Sequence, residues 1–538
     1  MLKRTQFGML KIMLVASLLI ALLSACAENN QAAQPSVSPS SSNSPEQSAA
    51  PSKPVELTVF SFMFGKEPPA DSLITKALQD KLNITLKWTS APYDTYKDKL
   101  NVLIASGQIP DIFFHEGVDM RDIYHKWIQQ GLLLPISDYA SSYPNVERHL
   151  QRFELLKKGE LGKNYSVPAI NHNKDITTAN QHAFYIRKDW LTNLGLSMPT
   201  TIEEFRAVVE AFAKGDPDQN GKPDTYGITA AGPGLGGFYI LVNAFNASAD
   251  RFRLIDGKWT PEIITDDGKQ ALQFLNQLYK DKIIDPEFMV NNGQQAYQKF
   301  VSGKAGILLD NATPDFYNGH YDRFQQAYPD KDPKTMFDVI PVLVGINGSK
   351  RVDGFNNFWG GASVSASVSE EKRDTAFRLF DYLLSDEGSE LMQWGIEGVH
   401  YSKDGDKYTS LITEKNENGK TKTIGELDPA VNLKTLVKWD LDFIPDDTPN
   451  REEAIAASAD SMANAKIDPL AFLYLPADVV DPSVRGKLWD YTVQETTNLI
   501  SFKGDFDKEW DKFVEGWLKL GQKYWDETDK QAKAENRS

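Results

Sequence analysis

The chain has 538 residues, 41% of them hydrophobic, with 58 Lys and Arg against 74 Asp and Glu and a formal net charge of −16. A single core stops growing at roughly 250–300 residues, so more than one is expected, and 28 Phe, 20 Tyr and 11 Trp exclude global disorder. The acid excess (pI 5.1) opposes nucleic acid as a partner, the lone cysteine excludes an internal disulfide, and a mean hydropathy of −0.42 excludes a polytopic membrane protein.

In chain order, Lys3, Arg4 and Lys11 form a basic leader, followed by a charge-free apolar run from Ile12 to Leu23. A bilayer span needs roughly 20 apolar residues, so this run fits the apolar region of a secretory signal peptide instead. Leu23-Ser24-Ala25-Cys26 resembles the bacterial lipobox, in which the cysteine thiol is lipidated and the chain is cut on its N-terminal side. Residues 1–25 therefore read as a lipoprotein signal peptide and Cys26 as the lipidation site. Residues 26–54 are rich in Ser and Pro, with Val37 as the only large aliphatic residue, so they read as a disordered spacer. Such a spacer holds a folded body away from a membrane.

The body begins at Val55. Val55–Phe60 alternates as a strand, Asp71–Leu82 has helical spacing, and Ile84–Trp88 is a second strand. Tyr93–Ala105 is helical, Gly107 and Pro110 end it, and Asp111–Phe114 is a short apolar strand suited to a parallel sheet. This is an α/β pattern, and such sheets bind ligands beyond the carboxyl ends of their strands. The loops of interest are therefore Phe62–Lys66, Thr89–Pro92 and His115–Asp119.

Further along, Thr200 and Glu203 are spaced as a capping box for a helix to Lys214 that buries Phe205, Val208, Val209 and Phe212. The helix exits into a loop running from Asp216 to Gly227. Asp216, Asp218, Asn220 and Asp224 occupy positions 1, 3, 5 and 9 of an EF-hand-like loop, with Gly221 at the sharp turn and the Lys222 carbonyl at position 7. Hard oxygen donors without His or Cys suit Ca²⁺ over zinc. Position 12 is Gly227 where a bidentate Glu is usual, so Thr225, water or a distant carboxylate is expected to complete a structural calcium site.

Catalytic motifs are lacking. The seven histidines form no H-E-x-x-H pair, Gly232–Gly237 matches neither dinucleotide nor phosphate-loop spacing, and no Walker motif occurs. The chain is not expected to be an enzyme.

An ordered series of motifs carries a family resemblance. Lys99–Ile112 (KLNVLIASGQIPDI), Gly131–Ile136, Tyr165–Pro168, Arg187–Leu191, Pro199–Phe205, Phe300–Gly306, Phe380–Gly388 and Gly395–Tyr401 resemble extracellular solute-binding proteins of ABC importers. Gly395–Tyr401 in particular resembles the large, carbohydrate-type lipoprotein branch of Gram-positive bacteria. The resemblance covers about residues 55–401 and implies a two-lobed type II periplasmic-binding-protein fold with an interlobe cleft. It also implies lobe 1 at residues 55–175 and 355–401, and lobe 2 at 176–354 and 402–538.

A sugar ring stacks its C–H face on an aromatic ring while carboxylates and amides take its hydroxyls. By topology and resemblance, Phe64, Lys66, His115, Glu116, Phe238, Tyr239, Asp310, Asn311, Trp359 and Trp394 are the candidate ligand contacts. The implied protein is a lipid-anchored, monomeric substrate-binding subunit on the extracellular face of the membrane. It would close on an oligosaccharide and present it to a membrane permease. Two alternatives remain: an extracellular calcium-containing carbohydrate-active enzyme, and a ligand sensor for a receptor kinase.

Overall fold

Alternating apolar residues make Val55–Phe60 the first strand of the first sheet. It pairs in parallel with Ile84–Thr89, Val55 opposite Ile84, and on its other side with Ile112–His115, Val59 opposite Ile112. The strand Phe358–Val364 joins antiparallel to Ile112–His115, and Val167–Ile170 completes a five-stranded sheet. This is a computed structural model, and it describes residues 53–62, 68–116, 120–153, 157, 162–171, 178–179, 181–405, 407–416, 419, 421–439, 450–470, 473, 475, 479–481 and 483–537. Cys26, Phe64 and Lys66 lie outside those residues.

Between the first two strands runs the helix Leu73–Leu82. Ser72 caps it by accepting the Thr75 N–H, Asn83 ends it in the left-handed region at φ 54°, and Ile74, Leu78 and Leu82 are buried. Gly360 and Gly361 sit where the Phe358–Val364 strand is squeezed between its neighbours. A Cβ on Gly360 would lie 2.4 Å from the His115 carbonyl oxygen, and one on Gly361 2.5 Å from that of Val167. These glycines answer to close strand packing.

The core of this sheet also takes in Ala430, Val431, Leu433, Leu436 and Val437. Trp439 then donates its N–H to the Ile170 carbonyl at 2.7 Å. Residues 424–439 thus pack with the first lobe, which differs from the lobe 2 expected from residue 402 onward. Their apolar residues stabilise the first sheet by covering one of its faces.

The second sheet is antiparallel. His182–Arg187 lies between Phe337–Ile340 and Ile307–Asn311. One large core beside it holds Trp190, Phe205, Phe212, Phe238, Trp510, Phe513 and Trp517. A smaller core holds Tyr185, Tyr297, Phe300, Tyr317, Phe324, Phe337, Ala454 and Ala457. The C-terminal helices Ser483–Ser501 and Phe506–Ala534 pack on one another against the larger core. Among the described residues no helix is long and apolar enough to cross a membrane.

The chain passes from the first sheet to the second over residues 171–181, returns over 354–357 and leaves the first sheet again after Trp439. The first two passages pair with each other, Thr178–Ala179 against Phe355–Asn356, and Asn171 donates its N–H to the Asn357 carbonyl at 3.1 Å. The carboxyl end of Val167–Ile170 and the start of His182–Arg187 therefore lie on either side of one narrow crossing.

Candidate functional site

On the first-sheet side of that crossing, several loops deliver aromatic rings to one edge. Phe62 follows the first strand, Tyr93 and Tyr96 open the helix after the second, and Phe114 is the next-to-last residue of the third. Trp359 is the second residue of the antiparallel strand, and Trp439 follows the bridge between Lys438 and Ile170. Phe62 is the hub, with ring centroids 5.3 Å from Tyr93, 4.7 Å from Tyr96, 5.8 Å from Trp359 and 6.3 Å from Trp439. Trp359 lies 6.1 Å from Tyr93 and 5.7 Å from Trp439. These spacings are those of favourable edge and tilted ring contacts. Tyr93 is 50% exposed and Trp359 is half-buried, so the ledge presents ring surface outward.

Glu116 stands behind this ledge and is fully buried. It forms an ion pair with Lys97, whose Nζ lies 6.0 Å from the Tyr93 ring centroid. Burial, reinforced by Glu116, pushes the Tyr96 hydroxyl well above its ordinary range. Glu116 thus holds Lys97 and Tyr96 in place and has no surface for a ligand.

His115 is not a ligand contact. It is 1% exposed, its Nε2 lies 3.0 Å from Ser363 Oγ, and its ring stacks on Tyr124 at 4.3 Å. Burial lowers its pKa to about 3, which leaves a neutral core imidazole. The strand Ile112–His115 is buried on both faces, so alternation does not bring its last residue into the open.

The second-sheet edge is polar. His182 and Asn311 are cross-strand partners, and the Tyr239 ring meets His182 edge-on at 6.0 Å. Asp310 accepts the Asn311 N–H at 2.8 Å through one oxygen, and its other oxygen lies 3.1 Å from His320 Nε2. The Asp310 side chain remains 28% exposed. Tyr239, Asp310 and Asn311 are thus gathered on one edge.

Phe238 and Trp394 are not on these edges. Phe238 is fully buried and packs edge-on against Phe288 at 5.3 Å, because its short helical turn faces the core. Trp394 stacks on Tyr408 at 4.8 Å and 11°, in a separate group with Tyr401 beside the hairpin 401–410. Sequence reasoning missed Tyr93, Trp439 and His182 as candidates. Phe62 was signalled by its loop alone, and Tyr93 directly follows a flagged loop.

The acidic loop after the helix Ile202–Lys214 is tightly wound. The helix is capped by Thr201 with Glu204, one residue later than the sequence spacing of Thr200 and Glu203 suggests. Thr200 is held otherwise, since its carbonyl accepts the Val344 N–H. Asp216 accepts the N–H groups of Asn220 and Gly221 at 2.9 and 3.0 Å. The Asn220 amide donates to Asp218 at 2.6 Å and to Asp224 at 3.2 Å, and its oxygen accepts the Lys222 N–H at 2.8 Å. Lys304 pairs with Asp224 at 2.8 Å and, with Asn220, holds its carboxyl below the ordinary range.

Asp218 Oδ1 is buried with no hydrogen-bond partner. Among the described residues, however, no group of three or more His, Cys, Asp or Glu side chains is placed to hold a metal ion. Thr225 is removed from the expected ligand set: it is 4% exposed and donates its hydroxyl to the Phe212 carbonyl at 2.7 Å. A Cβ on Gly227 would lie 2.3 Å from the Val209 carbonyl oxygen and 2.7 Å from Ile283 Cγ2. No glutamate fits at position 12 for that reason.

The family of bacterial extracellular solute-binding proteins matches residues 66–390. The chain belongs to that family. This solute-binding protein is 26% identical over 506 residues to YtcQ of Bacillus subtilis strain 168, a polygalacturonan/rhamnogalacturonan-binding protein; the match spans 91% of this chain and 94% of YtcQ. It is 26% identical over 557 residues to FusA of Streptococcus pneumoniae serotype 4, a fructooligosaccharide ABC transporter substrate-binding protein, spanning 97% and 98% of the two chains. The solved structure of S. pneumoniae FusA with kestose matches at a TM-score of 0.66 and 22% identity, over 90% of this chain and 100% of that one. A FusA EF-hand mutant with fructo-nystose matches at 0.64, with the same identity and coverage. The fold is the expected two-lobed α/β solute-binding fold.

Proposed function

We propose that this solute-binding protein is the lipid-anchored receptor of an ABC importer, and that it captures an oligosaccharide between its two sheet edges. The observation that carries this is the pairing of an aromatic ledge (Phe62, Tyr93, Trp359, Trp439) with a polar edge (Tyr239, Asp310, Asn311) across one crossing. Rings take the C–H faces of a sugar and the acidic and amide groups take its hydroxyls. That YtcQ binds polygalacturonan and rhamnogalacturonan, and that FusA serves fructooligosaccharides, supports a carbohydrate ligand. Closure of the two edges about the paired segments Thr178–Ala179 and Phe355–Asn356 would enclose the sugar for delivery to a permease.

The anchor would be Cys26, lipidated after removal of residues 1–25. Metabolic labelling with a fatty-acid analogue should mark the native protein and not Cys26→Ala; label on the variant contradicts the assignment.

The acidic loop would hold Ca²⁺ through Asp216, Asp218, Asn220, Asp224 and the Lys222 carbonyl. The unpartnered Asp218 oxygen and the all-oxygen donor set suit a hard cation. Its contribution would be structural, pinning the exit of Ile202–Lys214 far from any reacting group.

The capture function is tested by offering the immobilised protein a mixture of plant-glycan oligosaccharides. Species retained and then released at unchanged mass support a receptor. Shortened products, or none retained, contradict it.

A further inference from the structure

We infer that the buried imidazole of His320 is a positioning residue for Asp310, and that the pair makes the second edge a fixed acceptor for sugar hydroxyls, favouring neutral oligosaccharides over uronate chains. This rests on the reading of the two edges as an oligosaccharide cleft, and it specifies the ligand class of that cleft.

His320 lies on the helix Pro314–Ala327 and is 1% exposed. Its ring stacks on Tyr185 at 3.8 Å and 24°, sits 4.6 Å from Tyr297, and meets Phe300 and Phe337 at 6.1 Å each. Nδ1 has no hydrogen-bond partner in this aromatic box, while Nε2 lies 3.1 Å from Asp310 Oδ2. Burial holds the imidazole below its ordinary pKa, so it is neutral, and its one ring proton belongs on the nitrogen that faces the carboxylate. A buried donor that lost this acceptor would be left with neither water nor protein to satisfy it. His320 therefore fixes the rotamer of Asp310.

The rest of the edge is fixed in the same way. Asp310 Oδ1 accepts the Asn311 N–H, Asn311 Oδ1 accepts the Thr313 N–H at 2.9 Å, and the Asn311 carbonyl accepts the Tyr185 hydroxyl at 3.1 Å. Each carboxylate oxygen has capacity for about two hydrogen bonds, so each Asp310 oxygen keeps room for one more donor on its exposed side. Hydroxyl-to-carboxylate bonds are the strong, charge-assisted kind. Phe316, 48% exposed on the first turn of the same helix, offers apolar ring surface nearby.

Charge sets the class. The segment from Asp310 to Tyr317 has two carboxylates and no Lys or Arg. On the first lobe, Lys97 is already paired with Glu116, and Lys434 attracts Asp315. A uronate would therefore meet the carboxylates of Asp310 and Asp315, whereas a neutral sugar supplies only hydroxyl donors to them.

The experiment compares calorimetric titrations of the mature protein with two probes: neutral oligosaccharides retained from fructan, xylan and arabinan hydrolysates, and oligogalacturonate. The native protein should bind the neutral probe more tightly. His320→Phe keeps the stacked ring but loses the donor; it should melt close to the native temperature yet bind about tenfold more weakly. His320→Gln, which restores an N–H near Nε2, should recover most of that loss, a rescue that a purely structural role would not produce. Asp310→Asn should weaken neutral binding and narrow the margin over oligogalacturonate. Folded variants that bind as the native protein does, or tighter native binding of oligogalacturonate, overturn the inference while leaving the receptor reading intact. If neither probe binds, the receptor reading fails and this inference falls with it.

Discussion

Tyr93 and Trp359 share the aromatic ledge but are held differently. Tyr93 is half exposed at a helix start, whereas Trp359 packs among Phe62, Tyr93, Phe114 and Trp439. Tyr93→Ala should therefore lower affinity for the captured sugar by about 1 kcal/mol, roughly fivefold to tenfold, with little change in the unliganded melting temperature. Trp359→Ala should also cost about 2–3 kcal/mol of folding stability, because it opens the ring cluster. Equal destabilisation by the two changes, read by chemical denaturation, would contradict this division. Residue by residue, polar groups and rings divide alike: the ring of Tyr239 reaches an edge, while the polar candidate Glu116 is fully buried. Trp359, Asp310 and Asn311 reach the two edges, but His115 and Phe238 fall into cores. Strands buried on both faces and short apolar turns carry no periodic mark of which side chain is outermost.

At the scale of elements, the acidic loop shows how one packing contact edits a motif. Gly227 lies against the Val209 carbonyl and Ile283, so the backbone leaves the loop toward the strands without room for the usual twelfth ligand. The remaining donors and the unpartnered Asp218 oxygen predict moderate affinity. Calcium should raise the melting temperature and chelator should lower it, since an ion bound only by the folded chain stabilises by mass action. Asp218→Ala should remove that difference and leave the fold intact. A native melting curve indifferent to calcium would reduce the loop to a self-bonded turn. The same scale marks where legibility ended. The strand–helix alternation from Val55 to His115 was plain in its periodicities. By contrast, Pro429–Leu436 is a 3-10 segment whose apolar residues follow neither period, so its place in the first core was not. The capping register slipped by one residue because Thr200 and Thr201 are equally good caps by type; Thr201, which bridges Val344, is the one that accepts the Glu204 N–H.

For the whole molecule, buried histidines tie stability to pH, His115 and His149 among them. His115 titrates at about 3 and His149 at about 4 in the folded chain, both lowered by burial, while an unfolded histidine titrates near 6.5. Above about pH 6.5 neither state takes up a proton, so the full stability is present. Below it only the unfolded chain is protonated, and each histidine removes about 1.4 kcal/mol per pH unit until the folded pKa is reached. Urea midpoints measured from pH 7 to 4.5 should fall, and His149→Asn should make that fall shallower by one histidine's share. An unchanged slope in the variant would contradict the assignment.

The central claim is that two sheet edges joined by three crossings close on an intact oligosaccharide. Small-angle X-ray scattering of the mature protein, with and without its retained sugar at saturation, tests it most directly. The account predicts a smaller radius of gyration for the one-to-one complex, with the sugar recovered at unchanged mass. Identical scattering curves at saturation would contradict it, because the sugar would then be bound without the edges closing around it.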